Sequence, residues 1–107
     1  MGVYILLRSR KAGKKLTVVD PTTAKDVHFG DANYEDFVQH GDEERKEAYL
    51  KRHRENENWK DPSTPGFWAR WLLWNKKTLQ GSIDDLEARF NINVILGGEE
   101  LYDELKL

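Results

Sequence analysis

Residues 42–74 read DEERKEAYLKRHRENENWKDPSTPGFWARWLLW and join a densely charged segment to a strongly apolar one. All four tryptophans of the 107-residue chain lie in this stretch. Its first half predicts an α-helix capped by Asp42, with acids in the first turn and bases toward the end, an order that suits the helix dipole. The apolar residues there are only Ala48, Tyr49 and Leu50, so we expect this helix to lie outside the core and contact it along one narrow stripe.

The second half of the stretch predicts a buried helix. Thr64 is a candidate N-cap, and Pro65 fits the first helical position. In the segment GFWARWLLWNKK that follows, α-helical spacing places Phe67, Trp71 and Trp74 on one side. Apolar side chains cover nearly the whole circumference, which indicates a helix at the centre of the fold. The expected structural core comprises Phe29, Tyr49, Phe67, Trp68, Trp71, Leu72 and Trp74.

The residues before this stretch predict a small antiparallel sheet. Residues 3–8 and 16–19 are short β-rich runs, separated by a loop of the right length for a hairpin. Residues 25–30 (KDVHFG) alternate, which directs Phe29 toward one face of the sheet and His28 toward the other. These three strands end at Gly30.

The remaining segments predict a linker and a C-terminal unit. Residues 31–41 are interpreted as a linker whose Tyr34 and Phe37 pack across the sheet. Residues 82–85 (SIDD) resemble a capping box and predict a helix that begins there. Residues 92–96 can add a strand, and the acidic segment beyond Gly97 places Leu101 and Leu105 on one helical face.

Together these patterns predict a single α+β domain over residues 1–107. Three to four antiparallel strands pack against the tryptophan-rich helix, and the charged helix lies outside. The expected parts are a β-meander (1–30), a helical centre (42–77), and a C-terminal helix with a possible strand and an acidic tail (82–107).

Composition restricts the possible functions. Charged residues make up 34% and aromatic residues 11% of the chain, and this aromatic content argues against disorder. The absence of cysteine excludes disulfides, thiolate metal sites and thiol nucleophiles. The N-terminal apolar run is too short for a signal peptide or a transmembrane helix. No nucleotide-binding or hydrolase motif with specific spacing occurs, so we predict a non-enzymatic protein without a cofactor.

Two groups of polar residues suggest binding sites. The histidines His28, His40 and His53, with Glu57 one helical turn after His53, are weak metal-ligand candidates because their spacing matches no zinc motif. The alternative is that His28 meets a polar neighbour, His40 lies near the Asp42 cap and His53 pairs with Glu57.

Nucleic-acid binding is the second possibility, through two clusters of basic residues that can contact phosphates. The alternative interpretations are that lysines at a hairpin tip discourage aggregation and that acids in the helix nearly balance its bases. The formal net charge of −2 gives no domain-wide attraction to phosphates. The clusters are the hairpin residues Arg8, Arg10, Lys11, Lys14 and Lys15, and the helix residues Lys51, Arg52 and Arg54.

A longer pattern resembles a known group of proteins. It comprises HFG at 28–30, Tyr34, Asp36, His40, Asp42, Arg45, Tyr49, RH at 52–53, Glu57, Trp59, GFW at 66–68, WLLWNK at 71–76, TL at 78–79 and SI at 82–83. This pattern, over residues 27–83, resembles a family of small uncharacterised proteins encoded by tailed phages and by large DNA viruses of algae and protists. The resemblance implies a viral origin and, with it, a virion component or a small accessory factor.

We therefore expect a virus-encoded structural protein, a minor virion or capsid-associated subunit that works by contact with other viral proteins. Its expected location is the virion or the host cytoplasm, with no membrane association. The first alternative is an accessory protein that binds nucleic acid through the basic hairpin and residues 51–54. The second is a metal-dependent enzyme that uses His28, His40 and His53.

Overall fold

The computed structural model describes residues 2–97, which form a four-stranded sheet with helices packed on one face. The strands are β1 (Gly2–Arg8), β2 (Lys14–Val19), β3 (Asp26–Asp31) and β4 (Ile92–Leu96). The helices are α1 (Phe37–His40), α2 (Glu43–His53), α3 (Pro65–Trp68), which continues into a π-helical turn (Ala69–Leu73), and α4 (Leu79–Phe90). The predicted α+β class is confirmed.

The strand order is β3-β2-β1-β4. The first three strands pair antiparallel, as predicted. The predicted strand at residues 92–96 is present, but it pairs parallel with β1, so the sheet is mixed. This difference follows from α4, which carries the chain back along the sheet so that β4 runs in the direction of β1.

The inner face of the sheet forms the core together with α3, the π-helical turn and α4. Leu6, Val18 and Phe29 point inward and are buried. Phe67 and Trp71 both contact the ring of Phe90, with centroid distances of 5.0 and 5.3 Å. The predicted core residues that are buried are Phe29, Tyr49, Phe67, Trp68, Trp71 and Leu72, whereas Trp74 is half-buried.

The central helix begins as predicted but changes its hydrogen-bonding pattern. The Thr64 side chain accepts the Phe67 N–H, and Pro65 occupies the first turn. From Ala69 the helix widens, and the Trp74 N–H donates to the Ala69 carbonyl five residues earlier at 3.0 Å. A turn of this kind rotates the residues that follow relative to an α-helix. The expectation that Trp74 shares a side with Phe67 and Trp71 is therefore wrong.

The charged helix α2 lies outside the core, as predicted. Asp42 caps it by accepting the N–H groups of Glu44 and Arg45. Within α2 only Tyr49 and Leu50 are buried. Its attachment to the rest of the protein therefore depends on few contacts.

Two other boundaries differ from the predictions. The predicted linker contains α1, and Asp36 and Gln39 form a reciprocal capping box at the N-terminus of this helix. The C-terminal helix begins at Leu79 and is capped by Thr78, so the capping box proposed at residues 82–85 is wrong. Ser82 lies inside α4, is fully buried and accepts the Lys76 N–H, which explains a hydroxyl at this position.

The predicted acidic tail after Gly97, including Leu101 and Leu105, lies outside the described residues. Within residues 2–97, no helix has both the length and the apolar character needed to cross a membrane.

Trp68 is the side chain whose loss should damage this fold most. It is fully buried, contacts Tyr4 at a centroid distance of 4.8 Å, and donates its indole N–H to the Pro62 carbonyl at 2.8 Å. We expect Trp68→Ala to lower the free energy of unfolding in urea by about 3–5 kcal/mol. Trp68→Phe, which keeps a ring but leaves the Pro62 carbonyl without this donor, should cost less. Tyr34→Ala, at a position 72% exposed, should change the free energy by less than about 0.5 kcal/mol; equal losses in Trp68→Ala and Tyr34→Ala would contradict the assignment.

Candidate functional site

A cleft of about 510 Å³ lies between α2 and the paired ends of β2 and β3. Its volume is in the range of small-molecule binding sites. Both predicted basic segments contribute side chains to it. The lining residues are Lys14, Lys15, Phe29, Gly30, Asp31, Tyr34, Glu35, Asp36, Arg45, Ala48, Tyr49, Arg52, His53, Glu57, Pro65, Gly66, Ala69, Leu73 and Trp74.

The floor of the cleft is apolar and closely packed. Phe29 and Leu73 are buried beneath it. Gly30 has φ +81°, and a Cβ atom at this position would lie 2.7 Å from Leu73 Cδ1. A glycine is therefore required for β3 to approach the central helix this closely.

Tyr49 forms the α2 side of the floor. Its ring stacks on Trp74 at 4.1 Å with an interplanar angle of 2°, and His53 stacks on its other face at 4.3 Å. The side chain is only 8% exposed, and its hydroxyl has no hydrogen-bond partner within residues 2–97. Burial, followed by the nearby Glu57 carboxylate, raises the pKa of Tyr49 well above its ordinary value. Tyr49 therefore presents a neutral hydroxyl to the cleft.

Glu57 is held at one end of the cleft by two neighbouring rings. One carboxylate oxygen accepts the Trp59 indole N–H at 2.9 Å, and the other lies 3.2 Å from His53 Nδ1. The carboxylate also lies against Gly66, where an added Cβ would come within 2.9 Å of Oε2. The predicted His53–Glu57 pair is present, and it fixes the position of this acid.

Most of the charged groups around the cleft are already paired. Lys15 Nζ donates to Asp36 and to Gln39, both at 2.6 Å. Arg45 lies 3.6 Å from Glu35. These pairs tie β2 to the capping box of α1 and tie α2 to the loop before α1.

Lys14 and Arg52 differ from these residues because their charges are not paired with any residue that the structure describes. Both are exposed, and within residues 2–97 neither side chain has a hydrogen bond or an ion pair. They come from the two separate basic segments of the sequence and line the same cleft. The other basic candidates do not line it; these are Arg8, Arg10, Lys11, Lys51 and Arg54.

Sequence reasoning missed Tyr34 as a cleft residue. It was expected to pack across the sheet, but it is 72% exposed at the rim, whereas Phe37 of the same segment is buried. The Asp36–Gln39 capping pattern was the available signal, because a helix that begins at Phe37 turns Phe37 inward and leaves Tyr34 in the preceding loop.

The histidines have separate partners. His28 Nδ1 lies 2.7 Å from Ser9 Oγ, and its Nε2 lies 3.1 Å from Asp26. His40 Nδ1 accepts the Asp42 N–H at 2.9 Å, as expected for a residue beside that cap. No three His, Asp or Glu side chains within residues 2–97 are grouped so that they could hold a metal ion. The structure therefore gives no support to a metal site built from His28, His40 and His53.

A second surface lies on the outer face of the sheet. Val3 and Ile95 are 39% and 53% exposed, and Ile5 lies between them. Ile5 pairs with Ile95 on one side and with Val19 on the other, so an aliphatic row crosses three strands. At the adjacent edge, the Val94 N–H of β4 donates to Glu87 Oε2 at 2.9 Å, which reduces the capacity of this edge to pair with another strand.

Comparison with known proteins gives one match. Residues 4–53, from β1 to the end of α2, are similar to the model of a family of unknown function (DUF5754). No curated protein and no solved structure matches the chain.

The raised pKa of Tyr49 leads to a prediction about the pH dependence of folding stability. Because the pKa of Tyr49 is raised in the folded state, the unfolded chain ionises first as the pH rises through 10.0, and folded stability should fall from there. Tyr49→Phe should change the free energy of unfolding by less than about 1 kcal/mol at pH 7. It should lose less stability than the wild type between about pH 9 and 11, measured by urea denaturation.

Tyr34→Phe is the control, since it removes an exposed phenol. It should keep the pH dependence of the wild type. If Tyr49→Phe also keeps that dependence, the assignment of a raised pKa to Tyr49 is wrong.

Proposed function

We propose that this chain is a virus-encoded structural protein, a minor virion or capsid-associated subunit that works by protein–protein contact. The viral setting is supported by the sequence resemblance over residues 27–83. The contact role is supported by one observation, the aliphatic row on the outer face of the sheet.

That row is unusual because the described helices pack on the opposite face. α3, the π-helical turn and α4 place their buried side chains against the inner face. Within residues 2–97, Val3 and Ile95 therefore remain in solvent on neighbouring strands. Contiguous apolar side chains of this kind, bordered by polar residues such as Asn93, are typical of protein contact sites.

The expected partner is another protein of the same assembly. Glu87 occupies the Val94 N–H at the β4 edge, which disfavours strand addition there and favours contact through the face. The basic hairpin loop, with Arg10 and Lys11, adjoins the end of the strands that carry this row. A partner that presents an aliphatic patch with acidic residues at one margin would complement both features.

The test is incorporation into virus particles. We expect mass spectrometry to find the wild-type protein in particles purified from infected cells. The variant Val3→Lys/Ile95→Lys should lower the amount of the protein in particles at least about tenfold, because two charges would enter an apolar contact. Ala88→Lys/Asn56→Lys adds the same charge at exposed positions outside both surfaces and should be incorporated normally.

If the lysine variant does not fold, Val3→Thr/Ile95→Thr keeps β-branched side chains while removing apolar surface, and it should lower incorporation less strongly. Absence of the wild-type protein from particles would overturn the proposed role. Normal incorporation of the folded double variants would exclude this face as the contact.

A further inference from the structure

We propose that the cleft between α2 and the β2–β3 ends binds a nucleotide unit. The phosphate would bind Lys14 and Arg52, and the base would stack on Tyr34 at the rim with its polar edge toward Tyr49 and Glu57. This binding is independent of the protein contact proposed for the opposite face of the sheet.

Four Lys or Arg residues and four acids line the cleft, and two of the cations are available to bind an anion. Its carboxylates already have partners among the described residues: Asp36 binds Lys15, Glu35 lies near Arg45, and Glu57 is held by Trp59 and His53. Asp31 accepts the Asn33 N–H at 2.9 Å. The cations Lys14 and Arg52 have no such partner within residues 2–97. Lys14 and Arg52 are therefore the cations of the cleft that can pair with an incoming phosphate, and an arginine fork is well suited to phosphate oxygens.

The shape and surface of the cleft favour a flat ring beside that anion. Phe29 is buried, and Trp74 and His53 cover the two faces of the Tyr49 ring, so the ring available for stacking is that of Tyr34, which is exposed at the rim on the β3 side. Exposed aromatic side chains stack on bases without regard to sequence. The volume of about 510 Å³ accommodates a base with its sugar.

Two polar groups at the floor suit the edge of a base. The Tyr49 hydroxyl is without a partner in the described part of the chain, although its side chain is more than nine-tenths buried. Each Glu57 oxygen makes one contact, to Trp59 or to His53, and a carboxylate oxygen can accept a second hydrogen bond. A base with an amino or imino N–H can donate to Glu57, whereas a plain phenyl ring cannot.

The same chemistry occurs in a free nucleotide and in a single-stranded nucleic acid. The probes are guanosine monophosphate, a short single-stranded RNA, inorganic phosphate and phosphotyrosine, each titrated into the full chain and followed by NMR and calorimetry. We expect guanosine monophosphate and the RNA to shift the resonances of Tyr49, Arg52 and Gly66. Phosphotyrosine, which has a ring and a phosphate but no base edge, should bind at least about tenfold more weakly than guanosine monophosphate.

The chain offers a matched pair of variants. Lys14→Gln/Arg52→Gln removes one hairpin and one helix cation from the cleft, and Lys11→Gln/Arg54→Gln removes the same charges from the same segments outside it. The cleft variant should weaken nucleotide binding at least about tenfold, and the outside variant less than about threefold. Glu57→Gln, nearly isosteric, should weaken binding of guanosine monophosphate and leave binding of inorganic phosphate unchanged.

The outcomes separate clearly. If RNA binds much more tightly than the nucleotide, with an affinity that falls steeply with salt, the ligand of the cleft is a nucleic acid strand. If the two affinities are equal, the ligand is a free nucleotide. Both results support the proposal. Equal weakening by the two double variants would show general electrostatic attraction and overturn it. So would the absence of nucleotide binding, or phosphotyrosine binding as tight as that of guanosine monophosphate.

Discussion

The stack of Tyr49 on Trp74 is the contact on which the outer half of the molecule depends. α2 is charged along most of its length and buries only Tyr49 and Leu50. The two rings are nearly parallel at 4.1 Å, and Lys46 Nζ adds a hydrogen bond to the Asn75 carbonyl at 2.7 Å. Because α2 forms one wall of the cleft, this stack also positions Arg52 and, through His53, Glu57. Aromatic pairs of this kind contribute about 0.5–1.5 kcal/mol beyond the area they bury.

The stack exists because of the π-helical turn. An uninterrupted α-helix would place Trp74 beside Phe67 and Trp71, which contact Phe90 in the core. The wider turn closes with the Trp74 N–H on the Ala69 carbonyl and directs the indole toward α2 instead. Arg70 supports this end of the turn by donating to the Trp74 carbonyl at 2.9 Å, while its guanidinium lies 4.2 Å from the Trp71 ring. Burial lowers the pKa of Arg70, as expected for a cation packed between indoles.

Much of the fold could be predicted from local chemistry. The caps at Asp42 and Thr64, the alternation around Phe29 and the apolar circumference of the central helix all depend on neighbours in the sequence, and each prediction is confirmed. The π-helical turn could not be predicted, because Tyr49, which Trp74 contacts as a result of it, is distant in the sequence. For the same reason the cleft was not visible in the sequence: Lys14 and Arg52 come together only through the docking of α2 on the central helix, and each appeared as one of many surface charges.

Of the two surfaces on opposite sides of the sheet, only the cleft therefore depends on the contact between Tyr49 and Trp74. The outer aliphatic row is fixed by strand pairing alone, whereas the cleft requires Tyr49 and Trp74 to remain stacked. A double-mutant cycle with Tyr49→Leu and Trp74→Leu, measured by urea denaturation, tests that requirement most directly. We expect a favourable coupling energy of about 0.5–1.5 kcal/mol between the two residues. Strictly additive losses, with no coupling, would contradict it.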